Sequence, residues 1–130
     1  MNLSAEDKAS FREDGYLILR NLLSQLETET LQRWAAEVQA WPVDQDSPWM
    51  PYEEINVDGK AVLSRTENFV TSHPGLNDLL RGDRLLHVLR DLSGGDMVLF
   101  KEKLNYKLSG SGGSVLQRRI CSMFNRADSL

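Results

Sequence analysis

The run FKEKLNYKL, residues 100–108, puts Lys101, Lys103 and Lys107 on one side of an extended chain, because strand residues two apart point the same way. Like charges on one strand face repel, so such a face looks onto solvent or onto an anionic ligand. The run opens into Gly110-Ser-Gly-Gly113. A phosphate-binding loop needs GxxxxGK[ST], and here Ser114-Val115-Leu116 follows with no lysine. A dinucleotide fingerprint needs GxGxxG, and its last glycine is missing. By itself the glycine segment therefore reads as a turn. A second polar cluster, LSRTENF at 63–69, gathers Arg65, Glu67 and Asn68 directly after a β-prone run. Its residues suit either a local ion pair or a pocket for an anion.

Other chemistry finds little support. His73 and His87 stand in no HxD, HxH or HExxH spacing, so they do not form a metal motif. No Ser/His/Asp or Cys/His order can be defended, and Cys121 reads as a core or tail residue rather than a nucleophile. Arg118 and Arg119 have no aromatic residues interleaved with them, unlike a stacking platform for single-stranded nucleic acid.

The elements that must carry these residues follow from local signals. Ser4 and Asp7 form a capping box for a helix ending near Asp14, with Gly15 beyond it. Tyr16 to Leu19 is a short β-prone run. Ser24 and Glu27 open a second helix, in which Leu31, Trp34, Val38 and Trp41 make one apolar stripe and Pro42 is the stop. Three of the four prolines fall in the loop 42–51. YEEINV, Asp58-Gly59 and KAVLSR read as a tight hairpin. Residues 74–92 read as two helices split at Gly82, the second capped by Asp83 and stopped by Gly94-Gly95. Residues 96–108 alternate as one strand, with Glu102 out of place among Val98, Phe100, Leu104, Tyr106 and Leu108. Helices first and strands late give an α+β class.

At 130 residues the chain accommodates one domain. Its net charge of −4 argues against a nucleic-acid or membrane-surface binder. The single cysteine permits no internal disulfide, and no signal-peptide pattern, membrane-length apolar run or SKL ending is present. These features give a cytoplasmic default.

F-x-x-DGYLILRNLLS, RTENF, LSGGD and above all LFKEKLNYKLSGSGG, in that order over residues 8–113, resemble the phytanoyl-CoA dioxygenase family of non-haem Fe(II)- and 2-oxoglutarate-dependent oxygenases. The resemblance implies a double-stranded β-helix, or jelly roll, preceded by helices. It also implies that Lys103 lines the 2-oxoglutarate site, that Asn105 lies on the same strand face nearer the metal, and that Arg65 and Asn68 belong to the pocket. In such proteins the glycine turn leads into the HxD pair of the iron triad. Here residues 114–120 read SVLQRRI, so no catalytic or metal ligands are assigned.

The expected organisation is thus an N-terminal portion of such a domain over 1–113, its jelly roll incomplete. Residues 114–130 form a divergent tail, disordered or out of frame. The parent chemistry is hydroxylation of a C–H bond with Fe(II) and 2-oxoglutarate, neither of them expected to be bound by this chain. The alternatives are a non-catalytic interaction module, pairing a sheet edge with a protein partner, and a small anion-binding protein using Lys101, Lys103 and Lys107.

Overall fold

The computed structural model describes residues 2–108 and the backbone of 124–126. Helix α1 (Ala5–Asp14) starts where the Ser4 hydroxyl accepts from the Asp7 amide at 3.0 Å and the Asp7 carboxylate accepts from the Ser4 amide at 2.9 Å. It ends at Gly15, whose φ of 77° lies in the left-handed region. Helix α2 (Gln25–Gln39) has the same reciprocal cap from Ser24 and Glu27. Strands β1 (Met50–Ile55) and β2 (Ala61–Glu67) form an antiparallel hairpin. A 3-10 turn (Val70–Ser72), helix α3 (Pro74–Leu80) and helix α4 (Asp83–Ser93) follow. Short strands β3 (Met97–Leu99), β4 (Lys103–Asn105) and β5 (Phe124–Arg126) complete the order. Mixed helix and antiparallel sheet is the α+β class expected. Among the described residues no helix is long and apolar enough to cross a membrane.

The anticipated apolar stripe of α2 is the core's main wall. Val38, Phe69, Val70 and Leu76 are buried together, and Leu31, Trp34, Trp41, Leu80, Leu99 and Leu104 pack around them. α3 comes close enough to α2 that a Cβ on Gly75 would overlap the Trp34 indole. Helix α4 buries only Val88 fully and leans on α1, where Lys8 meets Asp91 at 3.3 Å.

Three local expectations are corrected. The hairpin turn has three residues between Asn56 and Lys60, not a two-residue Asp-Gly turn. The Asn56 amide donates to the Lys60 carbonyl at 2.8 Å, and only Gly59 takes a positive φ. Gly82, not Asp83, is the N-cap of α4, and Asp83 becomes its first helical residue. Tyr16 to Leu19 forms no strand among the described residues, for want of a ladder partner, and leaves Tyr16 and Ile18 exposed.

The largest difference is that 96–108 is not one strand. It breaks at Phe100–Glu102, so β4 joins a three-stranded sheet of order β1-β2-β4 while β3 pairs with β5. Phe100, anticipated on the apolar face, is exposed, and Glu102 is buried. The Glu102 carboxylate accepts from the Val70 amide at 3.0 Å. A carboxylate is tolerated inside when it satisfies an otherwise orphaned backbone donor. The glycine turn and the tail expected over 114–130 lie outside the described residues, apart from the backbone of Phe124–Arg126.

Candidate functional site

Cross-strand register decides which polar residues meet. In the β2–β4 pair Arg65 stands opposite Asn105, Thr66 opposite Leu104 and Glu67 opposite Lys103. Directly paired residues share a face of the sheet. Thr66 and Leu104 therefore face the core, where Leu104 packs and the Tyr106 hydroxyl donates to Thr66 Oγ1 at 3.0 Å. Burial pushes the Tyr106 phenol above its ordinary value. Arg65, Glu67, Lys103 and Asn105 occupy the other face. Tyr52 joins them from β1, opposite Arg65.

Two cations converge on Glu67, whose side chain is only 7 % exposed. Lys101 Nζ lies 2.9 Å from Oε2 and Arg65 Nε lies 2.8 Å from Oε1. The Arg65 contact is ionic: its buried Nε–H points off the line to the oxygen and makes no hydrogen bond. The Arg65 guanidinium carbon sits 4.0 Å from the centre of the Tyr52 ring, within cation–π range. The hydrogen bond to Glu67 holds the Lys101 ammonium above its ordinary pKa. The lysine face thus carries a buried counter-charge, which the alternation of lysines did not reveal.

Three of the four residues assigned to an anion pocket, Arg65, Lys103 and Asn105, are brought together on this face. Asn68 is not among them. It takes a φ of 56° at the exit of β2 and its side-chain amide donates to the Pro48 carbonyl at 2.9 Å, pinning the proline-rich loop. Lys107 is exposed beyond the end of β4. Sequence reasoning missed Tyr52, and only a correct register for a bulged hairpin would have found it. The ladder slips between Tyr52 and Glu53, where the Ser64 hydroxyl donates to the Tyr52 carbonyl at 3.0 Å.

Both histidines are engaged with neighbouring groups. His73 is the N-cap of α3: its Nδ1 accepts from the Leu76 amide at 3.1 Å, which leaves the proton on Nε2, 3.2 Å from Glu37 Oε2. Trp34 and Trp41 close around the imidazole at ring-centre distances of 5.5 and 6.1 Å. His87 Nε2 meets the Asn2 side chain at 2.9 Å. No group of three His, Cys, Asp or Glu side chains among the described residues could hold a metal ion. A separate surface cavity of about 370 Å³ lies between α2, α3 and the start of α4, over Trp34 and Leu79, with the Glu27–Arg84 ion pair at its rim. None of Arg65, Asn68, Lys103 or Asn105 lines it.

The polar sheet face gathers Arg65, Lys101, Lys103 and Asn105 around the buried Glu67. Residues 11–121 match the family described as Phytanoyl-CoA dioxygenase (PhyH). The sequence is 36% identical over 115 residues to a methylphosphonate hydroxylase of Gimesia maris, covering 87% of this chain and 44% of that protein. It is 32% identical over 109 residues to a 2-aminoethylphosphonate dioxygenase of the uncultured bacterium HF130_AEPn_1, covering 83% of this chain and 41% of that protein. It is also 36% identical over 126 residues to dioxygenase lolE1 of Epichloe uncinata, covering 94% of this chain and 48% of that protein. The chain spans about half the length of these curated relatives, 41% to 48%.

Proposed function

The chain belongs to the phytanoyl-CoA dioxygenase family, and we propose that it forms the N-terminal, co-substrate side of an Fe(II)/2-oxoglutarate oxygenase, binding 2-oxoglutarate on the Arg65–Lys103–Asn105 face. The observation that carries this reading is the β2–β4 register, which sets Arg65 opposite Asn105 and Glu67 opposite Lys103. Lys103 and Arg65 supply charge-assisted donors to a carboxylate, and Asn105 adds a neutral amide beside them. In this reading β1, β2 and β4 are strands of the family's jelly roll, and the sheet is incomplete without strands from further sequence.

Hydroxylation of a C–H bond is not an activity of this chain alone. Iron in such oxygenases needs two imidazoles and a carboxylate on one face. The sequence has two histidines and no His-x-Asp, and both imidazoles are engaged elsewhere. Two relatives are named for phosphonates, which supports a small phosphonate as substrate class of a complete protein of this kind.

Calorimetric titration of the full chain with 2-oxoglutarate tests the reading. Saturable binding in the absence of metal is expected, unchanged by Fe(II) and weakened about tenfold by Lys103→Ala through loss of one charged contact. Absence of saturable binding overturns it. A second reading, a module that adds a partner strand, is favoured by the Tyr16–Leu19 segment, which exposes Tyr16 and Ile18 and has no ladder partner among the described residues. It predicts a co-purifying protein partner, released by Ile18→Pro, and no affinity for 2-oxoglutarate.

A further inference from the structure

Arg65 differs from the other cations of the sheet face in how it is held. Its guanidinium carbon lies over the Tyr52 ring, 4.0 Å from the ring centre, and its Nε lies 2.8 Å from a Glu67 carboxylate oxygen. The side chain remains 35% exposed, and among the described residues its terminal Nη groups make no hydrogen bond. A buried carboxylate this close to an anion site would repel the ligand, but Lys101 neutralises it from the other side at 2.9 Å. The fork is therefore oriented before any ligand arrives, and its open edge carries two pairs of donors.

We propose that Tyr52, Glu67 and Lys101 make Arg65 a preorganised receptor for a group presenting two anionic oxygens, a carboxylate or a phosphonate, with Tyr52 the positioning residue that fixes the plane of the guanidinium. An arginine fork matches two oxygens in one plane, which an ammonium cannot do. Fixing it in advance removes the entropy cost of ordering a long side chain on binding. Only the identity of the ligand rests on the co-substrate reading above. The receptor itself rests on the clamp.

The test is a mutant cycle read by calorimetry on the full chain, with 2-oxoglutarate and methylphosphonate titrated separately. Tyr52→Phe keeps the ring and is expected to bind as the unmodified chain does. Tyr52→Leu should weaken binding up to about tenfold, the cost of ordering one long side chain on binding, and Arg65→Lys by about tenfold or more. Because Tyr52 acts through Arg65, the double variant should bind no more weakly than Arg65→Lys alone. A purely structural role for Tyr52 would instead multiply the two losses, and that result overturns the proposal. So does Tyr52→Leu binding both anions normally, or neither anion binding the unmodified chain. Arg65-dependent binding of methylphosphonate without 2-oxoglutarate keeps the receptor and removes the co-substrate assignment. Far-UV circular dichroism checks each fold. Should Tyr52→Leu unfold, Lys101→Ala at the exposed end of the clamp serves in its place: a severalfold loss for the anion that binds is expected, and no loss overturns the proposal.

Discussion

Glu102 shows how a single side chain can redirect the backbone around it. The residue is 7% exposed, and its carboxylate accepts from the Val70 amide, thirty-two residues earlier. Glu102→Ala strands that buried N–H, an expected cost of about 1–3 kcal/mol. Glu102→Gln keeps an acceptor of the same length and should recover much of that loss. Urea denaturation of the two variants checks the order. The sequence exposed Glu102 as a misfit in an alternating run, but it could not say which donor the carboxylate would meet, because that donor lies in another element. Ser4 and Ser24 were legible for the opposite reason: each cap closes over three residues. Arg65 lies between these extremes. Its type and neighbours suggested an anion site or an ion pair, and the structure shows the ion pair, with no hydrogen bond to the terminal donors among the described residues.

At the scale of elements, α2 is fixed at its start by Glu27. This carboxylate accepts from the Ser24 amide at 2.8 Å and from Arg84 of α4 at 2.6 Å. The Arg84 hydrogen bond, then those from Ser24, bring it from the ordinary 4.5 to about 2. A carboxylate with a depressed folded pKa stabilises the fold above its unfolded pKa, and that contribution is lost as pH falls through the folded value. Stability should therefore decline between about pH 4.5 and 2 on account of this group. Glu27→Gln should flatten that part of the profile, as followed by denaturant midpoint against pH. The seating of α3 on α2 makes a second prediction. Gly75→Ala forces Trp34 or α3 to move, and overpacking of this kind costs about 1–3 kcal/mol. A lowered thermal midpoint with altered tryptophan fluorescence is the expected result. Helices α1 and α2 were readable because cap and stripe are local. The division of 96–108 between two sheets was not, since alternation resumes beyond its one misfit, Glu102, and only non-local pairing separates β3 from β4.

For the whole molecule, the central cluster is small: Val38, Phe69, Val70 and Leu76, with half-buried residues around them. Phe69 stands at the end of LSRTENF, so the polar sheet face and the core are consecutive in sequence. Phe69→Ala is expected to cost about 3–5 kcal/mol, comparable with the whole stability of an ordinary domain at the lower end of about 5–15 kcal/mol. Loss of a cooperative thermal transition is the outcome to look for. The family was legible in the order of its motifs, and residues 11–121 match it. The register that gathers Arg65, Lys103 and Asn105 needed the fold.

The Glu102–Val70 bond also offers a way to watch the molecule in time. A backbone amide at the head of a three-residue 3-10 turn ordinarily exchanges its proton with water quickly, yet this one is closed by a carboxylate from the corner between the two sheets. Its exchange rate is therefore a clock for that corner: each exchange event records an opening that parts β4 from the core. A ligand seated on the outer face of β4 would slow the clock from the far side of the sheet, without touching the amide that keeps it.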